Sequence, residues 1–220
     1  MENTTKEKDI RLSVVIVVHN EAESLQQNLP LFLSQSGNTV YEVIVVDDSS
    51  TDTTPDLLKS MKAEHTHLHT TFFPQSVPNP SRLQLAMSVG VKAAHGEWIV
   101  LADINRPPTS EEWINNLIQT IDNERNAEAV LVYSDKKRQE TVCYQSFQQL
   151  EEVIPFIRKA ERRSGLGHKG IRLKLKRGLY DAIAVRQSRI YEAIRQYDRN
   201  IKGFKLTMLR MSVGWSNLWN

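Results

Sequence analysis

The stretch EVIVVDDSSTDTT, residues 42–54, runs four β-branched aliphatic residues directly into two adjacent carboxylates and a cluster of hydroxyls. An apolar run without polar alternation is the pattern of a strand covered on both faces, which belongs to a parallel sheet between layers of helix. In open parallel sheets, ligands bind at the carboxyl ends of the strands. The abrupt change at Asp47 therefore marks both a strand end and a candidate binding edge.

The segments on either side continue the pattern. Upstream, RLSVVIVV (11–18) is a second buried strand, and in HNEAESLQQNLPLFLSQ (19–35) Leu25, Leu29, Phe32 and Leu33 recur at helical spacing, with Pro30 as an expected kink. Downstream, TDTTPDLLKSM (51–61) starts a helix and HLHTTF (67–72) reads as a third strand. Asn79 before Pro80 predicts a capped helix starting at Pro80, whose Leu83, Ala86, Gly90 and Ala94 form a small-residue stripe for close packing. GEWIVLAD (96–103) gives a strand, Thr109 with Glu112 a capping box for a helix carrying Trp113, Leu117 and Ile121, and AEAVLVY (127–133) a further strand. The alternation predicts an α/β fold with a mostly parallel sheet and helices on both faces. Beyond Tyr133 the pattern weakens. Residues 145–163 read as helix interrupted at Pro155, SGLGHKG (164–170) as a loop, and Ile190, Ala193, Ile194 and Tyr197 as a short amphipathic helix. The expected organisation is a frayed segment 1–10, a domain over 11–135 and a helical segment over 136–220.

At 220 residues the chain can build one sizeable core with an appendage. Its single cysteine, Cys143, cannot form an internal disulfide and reads as a small buried apolar residue; no leader-like segment is evident, so a cytoplasmic location is expected. The longest apolar run is VVIVV (14–18), so contact with a membrane would be peripheral. Charge is divided unevenly: residues 1–157 carry 12 Lys+Arg against 22 Asp+Glu, and residues 158–220 carry 16 against 4. The basic end either meets an anionic partner or folds back on the acidic part.

Four strand ends are polar: His19-Asn20-Glu21, Asp47-Asp48-Ser49-Ser50, Asp103-Ile104-Asn105 and Ser134-Asp135. Carboxylates there can accept hydrogen bonds from a base or ribose, help hold a divalent cation, or cap the next helix. Arg82, in the first turn of its helix, adds a guanidinium where free N–H groups already favour an anion such as a diphosphate. His65, His67 and His69 alternate but lack a fourth ligand at suitable spacing, so a solvated strand face is expected rather than zinc. Trp215 and Trp219 are expected to pack on the domain.

These segments resemble the family 2 inverting glycosyltransferases of GT-A (Rossmann-like) fold. The resemblance is carried by SVVIVVHNEAESL (13–25), VIVVDDSSTDTT (43–54) and SRLQLAMSVGVKAAHGEWIVLADINRPPTSEEWI (81–114), and more loosely by YDAIAVRQSRIYEAI (180–194). It implies a nucleotide-diphosphate-sugar site formed by His19, Asn20, Glu21, Asp47, Asp48, Arg82 and Asp103, with Asp48 reading the base. It also implies Mg²⁺ or Mn²⁺ held by Asp103 and Asn105, where the family has a second Asp in place of Asn105. The family's general base follows a Gly-Phe pair, here Gly203-Phe204, but no Asp or Glu follows Asp198, and Asp181 is the substitute candidate. The implied activity is sugar transfer to an acceptor hydroxyl with inversion, in cell-surface polysaccharide biosynthesis. The acceptor would be a glycan or lipid-linked molecule, and the basic end would touch the inner membrane face; nucleic acid is not an expected partner. The alternative is a catalytically weak or inactive nucleotide-sugar-binding subunit. A phosphorelay receiver, which VVDDSS also suggests, would need that pair after the first strand.

Overall fold

The computed structural model describes residues 10–74, 82–123, 129–135, 140–146, 173–176, 182–195, 197–198 and 203–206. Within them the chain runs β1 (Leu12–Val18), α1 (Ala22–Leu33), β2 (Tyr41–Asp47), α2 (Thr54–Glu64), β3 (Leu68–Phe72), α3 (Arg82–Lys92), β4 (Trp98–Ala102), α4 (Trp113–Asn123), β5 (Ala129–Asp135), β6 (Glu140–Ser146), β7 (Leu173–Lys176), β8 (Ala182–Arg186), α5 (Ile190–Arg195), β9 (Tyr197–Asp198) and β10 (Gly203–Leu206). One sheet has seven strands in the order β3-β2-β1-β4-β8-β5-β6; β7, β10 and β9 form a second. β3, β2, β1 and β4 are parallel, and β8 is antiparallel to both β4 and β5, which gives β5 the direction of β4. β6 returns antiparallel along β5.

The period of two along the buried strands sorts their side chains into two cores. Leu12, Val14, Ile16, Val43, Val45, Trp98 and Val100 face α1, α2 and α4, meeting Leu25, Leu29, Phe32, Leu58, Trp113 and Leu117. Val15, Ile44, Val46, Ile99 and Leu101 face the other way, toward Ala86 and Val91 of α3 and Ile190 and Ile194 of α5. The stripe Leu25, Leu29, Phe32 and Leu33 is buried as its spacing predicts, with Pro30 inside α1. α3 lies close on the sheet because Gly90 has no Cβ: one built there would stand 2.5 Å from Val15 Cγ1 and 2.9 Å from Val46 Cγ2.

Several expectations are corrected. The seven-stranded sheet does not close at residue 135. Ala182–Arg186 lies between β4 and β5, and its AIAV is buried on both faces, so this stretch beyond residue 135 belongs to the sheet of the first domain. Residues 140–146 are strand, although 145 and 146 were expected to begin a helix; their pairing with β5 outweighs a weak helical pattern. Tyr197 belongs to β9 and not to the helix of Ile190 and Ile194. Glu112 does not close a box with Thr109: its carboxylate accepts from Ser36 Oγ at 2.7 Å and Asn115 Nδ2 at 3.0 Å, and its N–H donates to Ser110 Oγ at 3.1 Å. The start of α3 at Pro80 and its Asn79 cap, most of the 145–163 helix, the 164–170 loop and both late tryptophans lie outside the described residues.

The histidines also depart from a shared solvated face. His65 follows α2, His67 precedes β3, and only His69 is in the strand. His67 Nε2–H donates to the Leu33 carbonyl at 3.2 Å, and its ring stands edge-on to Tyr41 at 5.2 Å. His69 and His95 instead lie beside Glu42, which is 1% exposed at the amino-terminal end of β2. Glu42 accepts from Ser13 Oγ at 2.6 Å and the His95 N–H at 2.7 Å. It thereby ties β1, β2 and the start of β4 together at the sheet edge opposite the polar strand ends.

Candidate functional site

The chain passes from β1 outward to β2 and β3, then returns to place β4 on the other flank of β1, so the crossover direction reverses between β1 and β4. A crevice opens outside the carboxyl ends of strands at such a reversal. His19-Asn20-Glu21 follows β1, Asp47-Asp48-Ser49-Ser50 ends β2, and Asp103-Ile104-Asn105 follows β4; these are neighbouring strands, so three of the four polar ends meet. Asp135 ends β5 and leads into the β6 hairpin; its side chain is outside the described residues.

Two non-glycine residues shape the loops in the left-handed region, Asn20 (φ 54°) and Ser49 (φ 58°). Asn tolerates this conformation because its short side chain bonds locally. Asn20 Oδ1 accepts from the Thr51 N–H at 2.7 Å and the Asp52 N–H at 3.3 Å, while the Asn20 N–H donates to Ser50 Oγ at 2.9 Å. His19 Nδ1 is 2.7 Å from the Asp48 carbonyl oxygen. A carbonyl can only accept, so the proton is on Nδ1 and Nε2 faces Asn20 Nδ2 at 3.4 Å. His19 and Asn20 thus hold the β1 loop against the β2 loop. Asp52 joins the starts of α1 and α2. Desolvation is the largest single influence and pushes its carboxyl up, but the hydrogen bonds from Thr54 and from the Ala22 N–H together outweigh it and hold the carboxyl below its ordinary value. Sequence reasoning passed over Asp52; its signal is a carboxylate two residues before a Thr-Pro helix start.

The two carboxylates of β2 have different surroundings. Asp47 is 5% exposed, and its Oδ1 accepts the Ser50 N–H at 2.9 Å, which makes it a turn residue beneath the site. Asp48 faces the crevice and pairs with the Arg82 guanidinium. Arg82 also donates to Ser49 Oγ at 3.1 Å and the Pro74 carbonyl at 3.3 Å, and lies 4.8 Å over the Phe73 ring. Arg82 is at the start of α3 as expected, anchored beside Asp48 and the end of β3. The result is an adjacent acceptor and donor, the arrangement that reads an N–H and C=O edge.

Across the crevice, Asn105 Nδ2 donates to Glu21 Oε1 at 2.7 Å and lies 3.3 Å from Asp103 Oδ1. The Asn105 N–H donates to the same Asp103 oxygen at 3.1 Å, and Asn105 Oδ1 accepts from Ser24 Oγ at 2.8 Å. A hard divalent cation needs convergent oxygen ligands. Here the Asn105 group that faces the two carboxylates is an N–H₂ donor, and its oxygen is turned to Ser24. No set of three or more His, Cys, Asp or Glu among the described residues is arranged to hold a metal ion. The pair Asp103 and Asn105 is therefore not a fitting cation site as it stands. Asp181 lies outside the described residues.

The fold has solved relatives. It is similar to S. aureus TarS 1–349 in complex with UDP-GlcNAc (16% identity, TM-score 0.54, covering 83% of this chain and 47% of that one). It is also similar to the mannosyltransferase PcManGT from Pyrobaculum calidifontis in complex with GDP-Man and Mn2+ (19% identity, TM-score 0.51, covering 65% and 46%). The chain spans about half the length of these structures. No curated protein matches it. The sequence pattern of Glycosyl transferase family 2 matches residues 13–198, and the chain, with its GT-A sheet and its polar strand ends, belongs to that family.

Proposed function

We propose that this protein transfers a sugar from a nucleotide-diphosphate donor to an acceptor hydroxyl with inversion. The observation that carries the reading is the convergence of the β1, β2 and β4 ends on one crevice in a chain of this family. Asp48 accepts from an N–H of the base while Arg82 donates to the neighbouring carbonyl, and His19 and Asn20 hold that loop pair in shape. The sugar and diphosphate extend toward Glu21, Asp103 and Asn105. The acceptor oxygen attacks the anomeric carbon as the bond to the diphosphate oxygen breaks, and the hydroxyl proton passes to a carboxylate. Asp181 is the choice for that base, because its chain neighbour Ala182 pairs in register with Ala102, the residue before Asp103. The donor set does not suit the Mg²⁺ or Mn²⁺ that the resemblance implies, because the Asn105 amide turns its N–H₂ to the carboxylates and its oxygen to Ser24. The bound nucleotides of the similar structures support a nucleotide-sugar donor, UDP-GlcNAc and GDP-Man being the first to try. The acceptor side includes a glycan or lipid-linked hydroxyl, approached by the basic end at a cytoplasmic membrane face.

The test is release of the sugar from UDP-GlcNAc and GDP-mannose, with water or added glycans as acceptor, followed in parent and Asp181→Asn protein. The expected result is turnover of one donor, with the variant slower by about 10²-fold or more, the scale of a lost general base, and binding the donor as the parent does. Turnover unchanged in the variant removes Asp181 from the mechanism. A parent that binds a donor and never turns it over would favour the inactive binding subunit.

A further inference from the structure

The crevice between β1 and β4 contains a small polar device. Glu21 and Asp103 come from different strand ends and present carboxylates to one point. Two carboxylates brought together without a cation repel, and one of them takes a proton or moves away. Here the Asn105 amide stands between them, 2.7 Å from Glu21 Oε1 and 3.3 Å from Asp103 Oδ1, with its backbone N–H 3.1 Å from Asp103. Ser24 fixes the direction of the amide by donating to its oxygen at 2.8 Å. If the amide were turned over, two oxygens would face each other across 2.7 Å at Glu21, a contact that requires a cation or a proton between them. The Ile104 carbonyl in the same turn accepts from Asn28 Nδ2 at 2.9 Å, so the turn is also tied to α1.

We propose that Asn105 is a built-in bridge: its N–H₂ takes the place of a divalent cation between Glu21 and Asp103, so that the crevice is ordered, and binds a nucleotide diphosphate, without metal. The binding half rests on the function proposed above; the bridge does not. The residue type is decisive. An Asp at 105 would supply oxygen in place of the donor, would set three carboxylates at one point, and would make the crevice depend on a cation.

The test compares the thermal midpoint of the full chain in EDTA and in Mn²⁺ for the parent, Asn105→Asp, and the exchange Glu21→Gln with Asn105→Asp. The parent is expected to melt at the same temperature in both. Asn105→Asp should melt lower in EDTA by roughly 2–4 °C, the shift that the loss of one ordinary interaction brings in a chain of this size, and recover in Mn²⁺. The exchange returns one amide to the pair and should recover in EDTA. Asn105→Asp as stable as the parent in EDTA would overturn the proposal, as would a parent raised by Mn²⁺ as much as the variant. Calorimetry with UDP and GDP gives the second readout: equal affinity in EDTA and Mn²⁺ supports metal-free binding, and binding only with Mn²⁺ overturns it. Failure of both nucleotides to bind counts against the proposed function alone, and the melting series still decides the bridge.

Discussion

Asp48 and Arg82 act as a pair, and their surroundings explain why neither substitutes for the other. Arg82 reaches Asp48, Ser49 and Pro74 at once and rests on Phe73, which needs a planar fork. Arg82→Ala should weaken nucleotide-diphosphate binding by about 1.5–3 kcal/mol, the range for a hydrogen bond to a charged group. Arg82→Lys keeps the charge but not the fork and should recover only part of the loss. Asp48→Ala should weaken binding through lost base contacts. Calorimetry with UDP and GDP decides it: both alanine variants binding like the parent would remove this pair from the site. The sequence led to the expectation that Asp47, Asp48 and Arg82 share one candidate binding edge, and only the resemblance singled out Asp48. Asp47 ends β2 and its carboxylate accepts the Ser50 N–H, while Asp48, one residue past the strand, pairs with Arg82, a division set by contacts distant in the chain.

Among the elements, α3 shows how packing constrains a helix that carries a site residue. Gly90 costs α3 roughly 1 kcal/mol in helix propensity relative to alanine, yet a methyl there meets Val15 and Val46. Overpacking costs about 1–3 kcal/mol, so, net of the propensity gain, Gly90→Ala should lower stability by up to about 2 kcal/mol in denaturant titration and shift Arg82 away from Asp48; a stabilised variant would show that α3 can lift without cost. The junction of α1, β2 and β3 carries a pH effect. Burial pushes the His67 imidazole down from its ordinary 6.5, against the hydrogen bond it donates to Leu33, which acts the other way. With its folded value below its unfolded one, His67 contributes stability that is fully present above about pH 6.5 and is lost as pH falls through the lowered folded value. Melting midpoints of parent and His67→Phe protein between pH 7.5 and 5 should show the shallower decline in the variant; parallel curves would remove His67 as a cause. Strands β1, β2 and β4 and the buried stripe of α1 were legible because their periodicity is local. The strand character of Ala182–Arg186 shows in its AIAV run, but its place between β4 and β5 does not, since pairing over some eighty residues leaves no local pattern.

The charge division of the chain shows at this level what composition alone left open. One contact supports folding back: Arg186 pairs with Glu97 at 2.7 Å and lies 4.9 Å over the Trp98 ring. The small sheet points elsewhere. β7 and β10 pair with 174 opposite 205 and 176 opposite 203, while 173 and 175 stand opposite 206 and 204. Positions 174, 176 and 205 of this ladder are lysines, in an end of the chain that carries 16 Lys+Arg against 4 Asp+Glu over residues 158–220. A surface of acidic lipid would attract that excess of positive charge, at about 1 kcal/mol for each lysine near it. The protein should therefore co-sediment with vesicles containing phosphatidylserine at low salt and be released as salt is raised. Changing Lys174, Lys176 and Lys205 together to Gln should weaken that binding on the order of 100-fold, the product of three such contributions. Its fold is checked by an unchanged melting midpoint. Binding that ignores both salt and the triple change would leave the Arg186–Glu97 kind of contact as the reason for the basic end.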